Sequence, residues 1–213
     1  MAESRPAALP PAERTIGQLV AESIHFYGEH FWPSLSLGVA PAIVLVVGAN
    51  VSSRTTLFLS PTLFGALLSA TYVYASVLVL ESRPSWNRLA VAWLVGWLAF
   101  APLPFLVREY VLPGLVWFVA FALLVPVLVA EDVAVRSAVS RAWRLARTDL
   151  VHQVGSLLTL GIVVVLTQAV LAFVLRDFGN TAEWIAYSLA SIVVSPLLFI
   201  GAALLYVDQA ARA

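Results

Sequence analysis

Arg136, Arg141, Arg144 and Arg147 fall within the stretch EDVAVRSAVSRAWRLARTDL, residues 131–150, and make up a third of the chain's twelve arginines. The chemistry open to them is phosphate recognition, because a guanidinium is planar, permanently charged and able to bond a phosphate through two N–H groups at once. On a helix over about 133–149, Val135, Ala138, Val139, Ala142, Trp143, Leu145 and Ala146 share an arc of roughly 160°. The four arginines fill most of the remainder with Ser137, Ser140 and Thr148. An interfacial helix has this pattern, its apolar side against the acyl boundary or a bundle and its arginines at lipid phosphates. Glu131 and Asp132 precede the helix, where carboxylates complement its dipole, and Asp132 is expected to cap free N–H groups. A second reading needs no ligand: the arginines only fix topology and keep the segment soluble.

Other candidate chemistry falls away on spacing. In HFYGEH, residues 25–30, the two histidines stand five apart, about 140° from each other on a helix, so neither zinc-protease motif is present. His25 with Glu29 instead reads as part of a polar interfacial face, and His152 as a lone headgroup-level residue at a span boundary. No phosphate-binding glycine loop, dinucleotide fingerprint or nucleophile elbow occurs, and Glu131–Asp132 lie at a helix start rather than in a pocket. The absence of cysteine excludes disulfides and thiolate metal sites. The sequence therefore predicts no catalytic residue, no metal and no cofactor. A formal net charge of zero argues against nucleic acid as a partner.

The elements that must carry the arginines are membrane spans. Hydrophobic residues make up 61% of the 213 and charged residues 11%, against roughly 25% charged in soluble domains. Six stretches lack Asp, Glu, Lys, Arg and His: 35–51, 57–80, 89–107, 111–130, 154–175 and 184–207. Each is near the ~20 residues that carry a helix across a hydrocarbon core. The expected fold is an all-α integral membrane protein, a bundle of six transmembrane helices with two amphipathic helices on the cytoplasmic side. One amphipathic helix covers about 15–32, with Gln18, Glu22, His25 and Glu29 on one face and Ile16, Val20, Tyr27 and Phe31 on another, and Pro33 stops or kinks it. The other is the arginine segment at about 133–149. Residues 1–14 read as a disordered tail without the apolar core of a signal peptide, and residues 15–213 as one polytopic domain.

All twelve basic residues are arginine, a bias associated with GC-rich bacterial genomes. With a cytoplasmic amino terminus, Arg5, Arg14, Arg83, Arg88, Arg136, Arg141, Arg144, Arg147 and Arg212 lie inside, and Arg54, Arg108 and Arg176 outside. This asymmetry predicts both termini in the cytoplasm of a bacterial inner-membrane protein. Trp32, Trp86, Trp143 and Trp184 are the expected interfacial anchors. Pro41, Pro102, Pro104, Pro126 and Pro196 sit inside spans as kinks. Ser69, Tyr72 and Ser76 line one face of the second span, Ser188, Ser191 and Ser195 one face of the sixth, and Thr167 and Gln168 lie in the fifth. Helix packing accounts for these neutral groups, with a substrate path as the alternative. SPTLFGALL (60–68) and SPLLFIGAALL (195–205) hint at an internal repeat, although their prolines fall at different depths.

One longer pattern carries a resemblance. VPVLVAEDVAVRSAVSRAWRLAR joins an apolar span to an acidic turn and an Arg/Trp-rich helix, and it resembles the membrane domain associated with glycerophosphodiester phosphodiesterases and related stand-alone bacterial membrane proteins. IGQLVAESIHFYGEHFWPSL and ALLYVDQAAR are similar to that domain's opening helix and its terminal Tyr-x-Asp signature, here Tyr206 and Asp208. The family often carries Arg two residues after the Asp, where this chain has Ala210 and then Arg212. The resemblance implies a multi-helix membrane domain of unknown activity, the catalytic barrel being a separate soluble domain. The expected function is accordingly non-enzymatic: scaffolding or lipid-facing organisation, with membrane lipids, anionic headgroups among them, as partners, alongside other membrane proteins or a soluble enzyme. A small transporter or lipid-handling protein using the neutral polar faces is the alternative.

Overall fold

The computed structural model describes residues 10–102, 111–175 and 180–213, and all regular structure among them is helical. After a 3₁₀ turn at Pro11–Glu13, the chain enters α1, Ile16–Glu29, through a reciprocal cap. Thr15 Oγ1 accepts from the Gln18 N–H at 3.4 Å while Gln18 Oε1 accepts from the Thr15 N–H at 2.7 Å, satisfying two donors that a helix start leaves free. His30 breaks the helix, and α2, Phe31–Ser36, and α3, Val39–Asn50, follow. Ser52 caps α4, Ser53–Leu59, which runs through a π-helical turn at Ser60–Phe64 into α5, Gly65–Val79. Next come α6, Trp86–Phe100; α7, Val111–Phe121; and α8, Leu124–Ala130. The arginine helix is α9, Val135–Thr148, and the chain closes with α10, Leu150–Leu175; α11, Asn180–Val194; and α12, Pro196–Arg212.

Among the described residues, four stretches are long and apolar enough to cross a membrane: Phe31–Gly48, Arg54–Val79, Leu150–Leu171 and Ile185–Arg212. They correspond to the predicted runs at 35–51, 57–80, 154–175 and 184–207. The run at 89–107 contributes α6, whose 15 residues rise only about 22 Å, and residues 103–107 lie outside the described ones. The run at 111–130 is divided between α7 and α8 at Ala122–Leu123. The helix of 57–80 starts earlier than predicted, because Ser52 accepts from the Thr55 N–H at 3.2 Å and so draws the expected loop into α4.

Two prolines explain the interior breaks. Pro126 has no N–H to offer the carbonyl of Ala122, and the Tyr72 hydroxyl donates to that carbonyl instead. Pro196 likewise leaves the Ile192 carbonyl without its helical donor at the Ser195 joint between α11 and α12. Gly38 packs on that carbonyl so closely that a Cβ would stand 2.0 Å from its oxygen, which confines the position to glycine.

The core is built around α8, whose Leu124–Val129 are all buried, with α5, α6 and α12 packed around them. Ile200–Tyr206 of α12 are buried as well. Helix α1 is seated on α10 and α12 rather than free of the bundle, with Leu19 and Ser23 fully covered. Its exposed side carries Gln18, His25 and Glu29, the last two 3.3 Å apart.

Candidate functional site

Helix α9 presents three faces rather than two. Ala138, Ala142, Leu145 and Ala146 are buried against the bundle, so more than half of the predicted apolar arc is already occupied by protein. Val135, Val139 and Trp143 repeat every four residues beside that face and remain exposed, Trp143 at 44%. At 100° per residue, Arg136, Arg147 and Arg144 follow next around the helix, within roughly 80° of one another. All three are exposed, and the Arg147 guanidinium lies 4.4 Å from the centre of the Trp143 ring. An exposed apolar stripe bordered by cations can wedge into a bilayer surface while the opposite side stays fixed to the protein.

Arg141 belongs elsewhere. Its Nε is 3.3 Å from Glu131 Oε1, and the same oxygen accepts from the Tyr206 hydroxyl at 3.1 Å. Glu131 therefore fastens α9 to α12 instead of merely complementing a helix dipole. The Glu131 backbone carbonyl accepts from Arg88, which also reaches the Leu128 carbonyl at 3.5 Å. Arg88 thus covers carbonyls that the end of α8 leaves open. Asp132 does not cap α9: the capping position is Ala134, with no side-chain cap, because the chain is extended there and the exposed Asp132 carboxylate lies 3.7 Å from Arg88 Nη1 instead.

A second polar cluster lies where α1, α10 and α12 meet. The Asp208 side chain is fully buried, 3.1 Å from Arg14 Nη1 and 3.5 Å from His152 Nε2. His152 is therefore a buried partner and not the lone headgroup-level residue that the sequence suggested. The Asp149 carboxylate accepts from the His152 N–H at 2.9 Å, capping α10, and pairs with Arg212. Arg212 also donates to the Arg14 carbonyl at 2.6 Å, and Gln209 Nε2 to the Asp149 carbonyl at 3.0 Å. The terminal Tyr206 and Asp208 thus serve as fasteners, one to Glu131 and one to Arg14. Together these contacts gather the starts of α1, α6, α9 and α10 and the end of α12 at one end of the bundle.

Beside this cluster is an open recess of about 520 Å³ edged by Glu13, Arg14, Asp149, His152 and Arg212. Two carboxylates oppose its two guanidiniums, so it offers an anion no excess of positive charge. The remaining anchors separate. Trp32 and Trp86 are exposed at 76% and 85%, whereas the side chain of Trp184 lies outside the described ones. Arg108 and Arg176 also lie outside the described residues.

Five of the neutral hydroxyls donate to backbone carbonyls. Ser69 donates to the Trp93 carbonyl at 2.8 Å, Ser76 to Tyr72 at 2.8 Å and Thr167 to Val163 at 2.7 Å. Tyr72 and Ser195 donate to Ala122 and Ser191. Such bonds join or brace helices, the use that packing makes of neutral polar groups. Sequence reasoning missed Arg14, Arg88, Asp149, His152, Gln209 and Arg212 as a set. Only Asp149, an N-cap type directly before an apolar run, carries a local signal. No family model, curated protein or solved structure matches the chain.

Proposed function

We propose that this is a non-enzymatic, six-span protein of a bacterial inner membrane, with both termini and α9 cytoplasmic, that organises lipids at the cytoplasmic leaflet. The observation that carries the reading is the three-faced α9. Its buried side is held by the bundle and by Glu131, while Val135, Val139 and Trp143 form an exposed apolar edge beside Arg136, Arg144 and Arg147. Anionic headgroups suit that edge, each arginine contributing about 1 kcal/mol near a charged leaflet. The cytoplasmic placement is supported by Arg14, Arg88, Arg141 and Arg212 meeting at the α9 end of the bundle. In the proposed topology, α6 and the α7–α8 pair supply the two shorter spans. The resemblance to the membrane domain of glycerophosphodiester phosphodiesterases extends the reading to a separate soluble enzyme or other membrane proteins as partners. The transporter alternative loses support where the hydroxyls are bonded to backbone.

The chain contains no cysteine, so a Val139→Cys substitution gives a single labelling position on the apolar edge. With full-length protein in vesicles, a polarity-sensitive probe at that position is expected to report an acyl environment when anionic lipid is present. Replacing Arg136, Arg144 and Arg147 by Gln, at ~1 kcal/mol each, should lower the inserted-to-free ratio by roughly two decades. Equal insertion of the two proteins into anionic vesicles would leave the arginines with a topological role only.

A further inference from the structure

A cavity of about 360 Å³ lies inside the bundle, away from the arginine helix. Three of the four helices long enough to cross a membrane contribute to its wall: Val44 from α3, the segment from Ser60 to Tyr72, and Leu198–Ala202 from α12. The cavity therefore sits at the depth of those spans. The rings of Phe118, Phe100, Tyr72 and Phe199 form a continuous side of it, with successive centroids 6.1, 6.3 and 6.1 Å apart. The π-helical turn at Ser60–Phe64 shapes another side, turning Phe64 inward to 4% exposure while its neighbour Leu63 stays half exposed. Such turns recur where a helix is adapted to a site.

The wall specifies what can enter. Of its three hydroxyls, Ser69 and Tyr72 are committed to the carbonyls of Trp93 and Ala122, and apart from part-exposed Ser60 the rest of the wall is apolar. Water gains little in an apolar space of this kind, whereas an unfilled one forfeits dispersion contacts along its whole wall. An apolar cavity of about 150 Å³ takes a six-carbon benzene ring, so at that density 360 Å³ takes roughly fourteen carbons. That is the length of a membrane acyl chain, and at membrane depth such chains surround the protein. We propose that the cavity is a binding site for one acyl chain of a bilayer lipid.

This inference rests on the reading that the apolar helices lie in a bilayer, and the experiment separates the two. Full-length protein is reconstituted in phosphatidylcholine–phosphatidylglycerol vesicles containing a phosphatidylcholine with a mid-chain diazirine. After photolysis, the labelled residues are mapped by mass spectrometry. Label is expected in 64–72 and 198–202, as well as on the exposed flank that includes Ile162, Val165 and Leu166. Ala202→Phe, which places a ring in the cavity, should reduce lining label by about tenfold relative to the flank. Phe64→Ala, which enlarges the cavity, should raise it. Flank label without lining label overturns the acyl-chain site while leaving the membrane reading intact. Loss of both overturns both. If Ala202→Phe fails to fold, Phe64→Ala decides: lining label no higher than in the original chain refutes the site.

Discussion

Seven arginines of the described residues fall into two groups that the sequence presents alike and the fold treats oppositely. Arg14, Arg88, Arg141 and Arg212 each end on an acceptor supplied by the chain itself, a carboxylate, a helix-end carbonyl or both. Arg136, Arg144 and Arg147 extend from the far side of α9, and only Arg147 meets a protein group, the Trp143 ring. A guanidinium drawn into a protein needs an acceptor, since an uncompensated buried charge is costly. One left at a surface keeps its bonding capacity for water, phosphate or another molecule. The arginine count thus indicates which end of the bundle is charged, while the acceptors decide which charges are structural and which are available.

The largest expected effect belongs to the paired group. Asp208→Ala leaves Arg14 and His152 without the carboxylate between them, in a cluster where Asp208 is fully buried. Losing one partner of such an assembly costs about 3–5 kcal/mol. Thermal unfolding of the purified protein should show a large drop in midpoint, with proteolysis first opening the junction of α1 with α12. An unchanged midpoint would mean that the cluster does not fasten the chain's two ends.

How much of this was legible follows from the range of each signal. The apolar runs are local, and four of them reappear as stretches able to cross a membrane. Pro126 and Pro196 announced kinks because a missing N–H is a local fact, but Tyr72 as the donor to the freed carbonyl is 50 residues away. Helical periodicity grouped Ala138, Ala142, Leu145 and Ala146 with Val135, Val139 and Trp143, since all are apolar. It could not show that the bundle covers the first four and leaves the others exposed. Asp132 has a capping residue type yet lies in the extended segment before the helix, which begins two residues later than expected. His152 looked solitary because its partner Asp208 arrives on the last helix, and Arg14 reaches the same carboxylate across 194 residues. Residues chosen as lipid contacts thus included Arg141, whose acceptor Glu131 stands ten positions earlier on the adjoining turn.

A smaller effect sharpens the contrast by reversing with the medium. In detergent, Arg141→Gln removes a charge-assisted bond to Glu131 and should cost about 1–2 kcal/mol, at the low end because both groups are part-exposed. Arg144→Gln should stay within about 0.5 kcal/mol there, as surface changes do. On anionic vesicles the order is expected to invert for insertion of the α9 edge: Arg144→Gln loses about 1 kcal/mol and Arg141→Gln almost nothing. Raising the salt should shrink the Arg144 effect far more than the Arg141 effect. Two variants that behave alike in both media would erase the distinction between structural and available arginines.

The smallest effect concerns Arg147, the exposed arginine of α9 that does meet a protein group. Arg147 stands 4.4 Å from the centre of the Trp143 ring, an i,i+4 pair on the exposed side of α9. A guanidinium over an indole at an exposed site is worth about 0.5–1 kcal/mol. The pair gives Arg147 a fixed direction that Arg136 and Arg144 lack, and in the proposed topology its ring lies at the level where indoles favour the headgroups. A double-mutant cycle with Trp143→Leu and Arg147→Gln, read through hydrogen exchange of α9 in neutral detergent, should return a coupling of about 0.5–1 kcal/mol. The matching cycle between Trp143→Leu and Arg144→Gln should return none, because Arg144 projects about 100° away around the helix. On anionic vesicles, Trp143→Leu should then weaken the contribution of Arg147 to insertion and spare that of Arg144. Equal coupling to both arginines would mean that the ring acts through apolar burial of α9 alone, and Arg147 would rejoin the undirected pair.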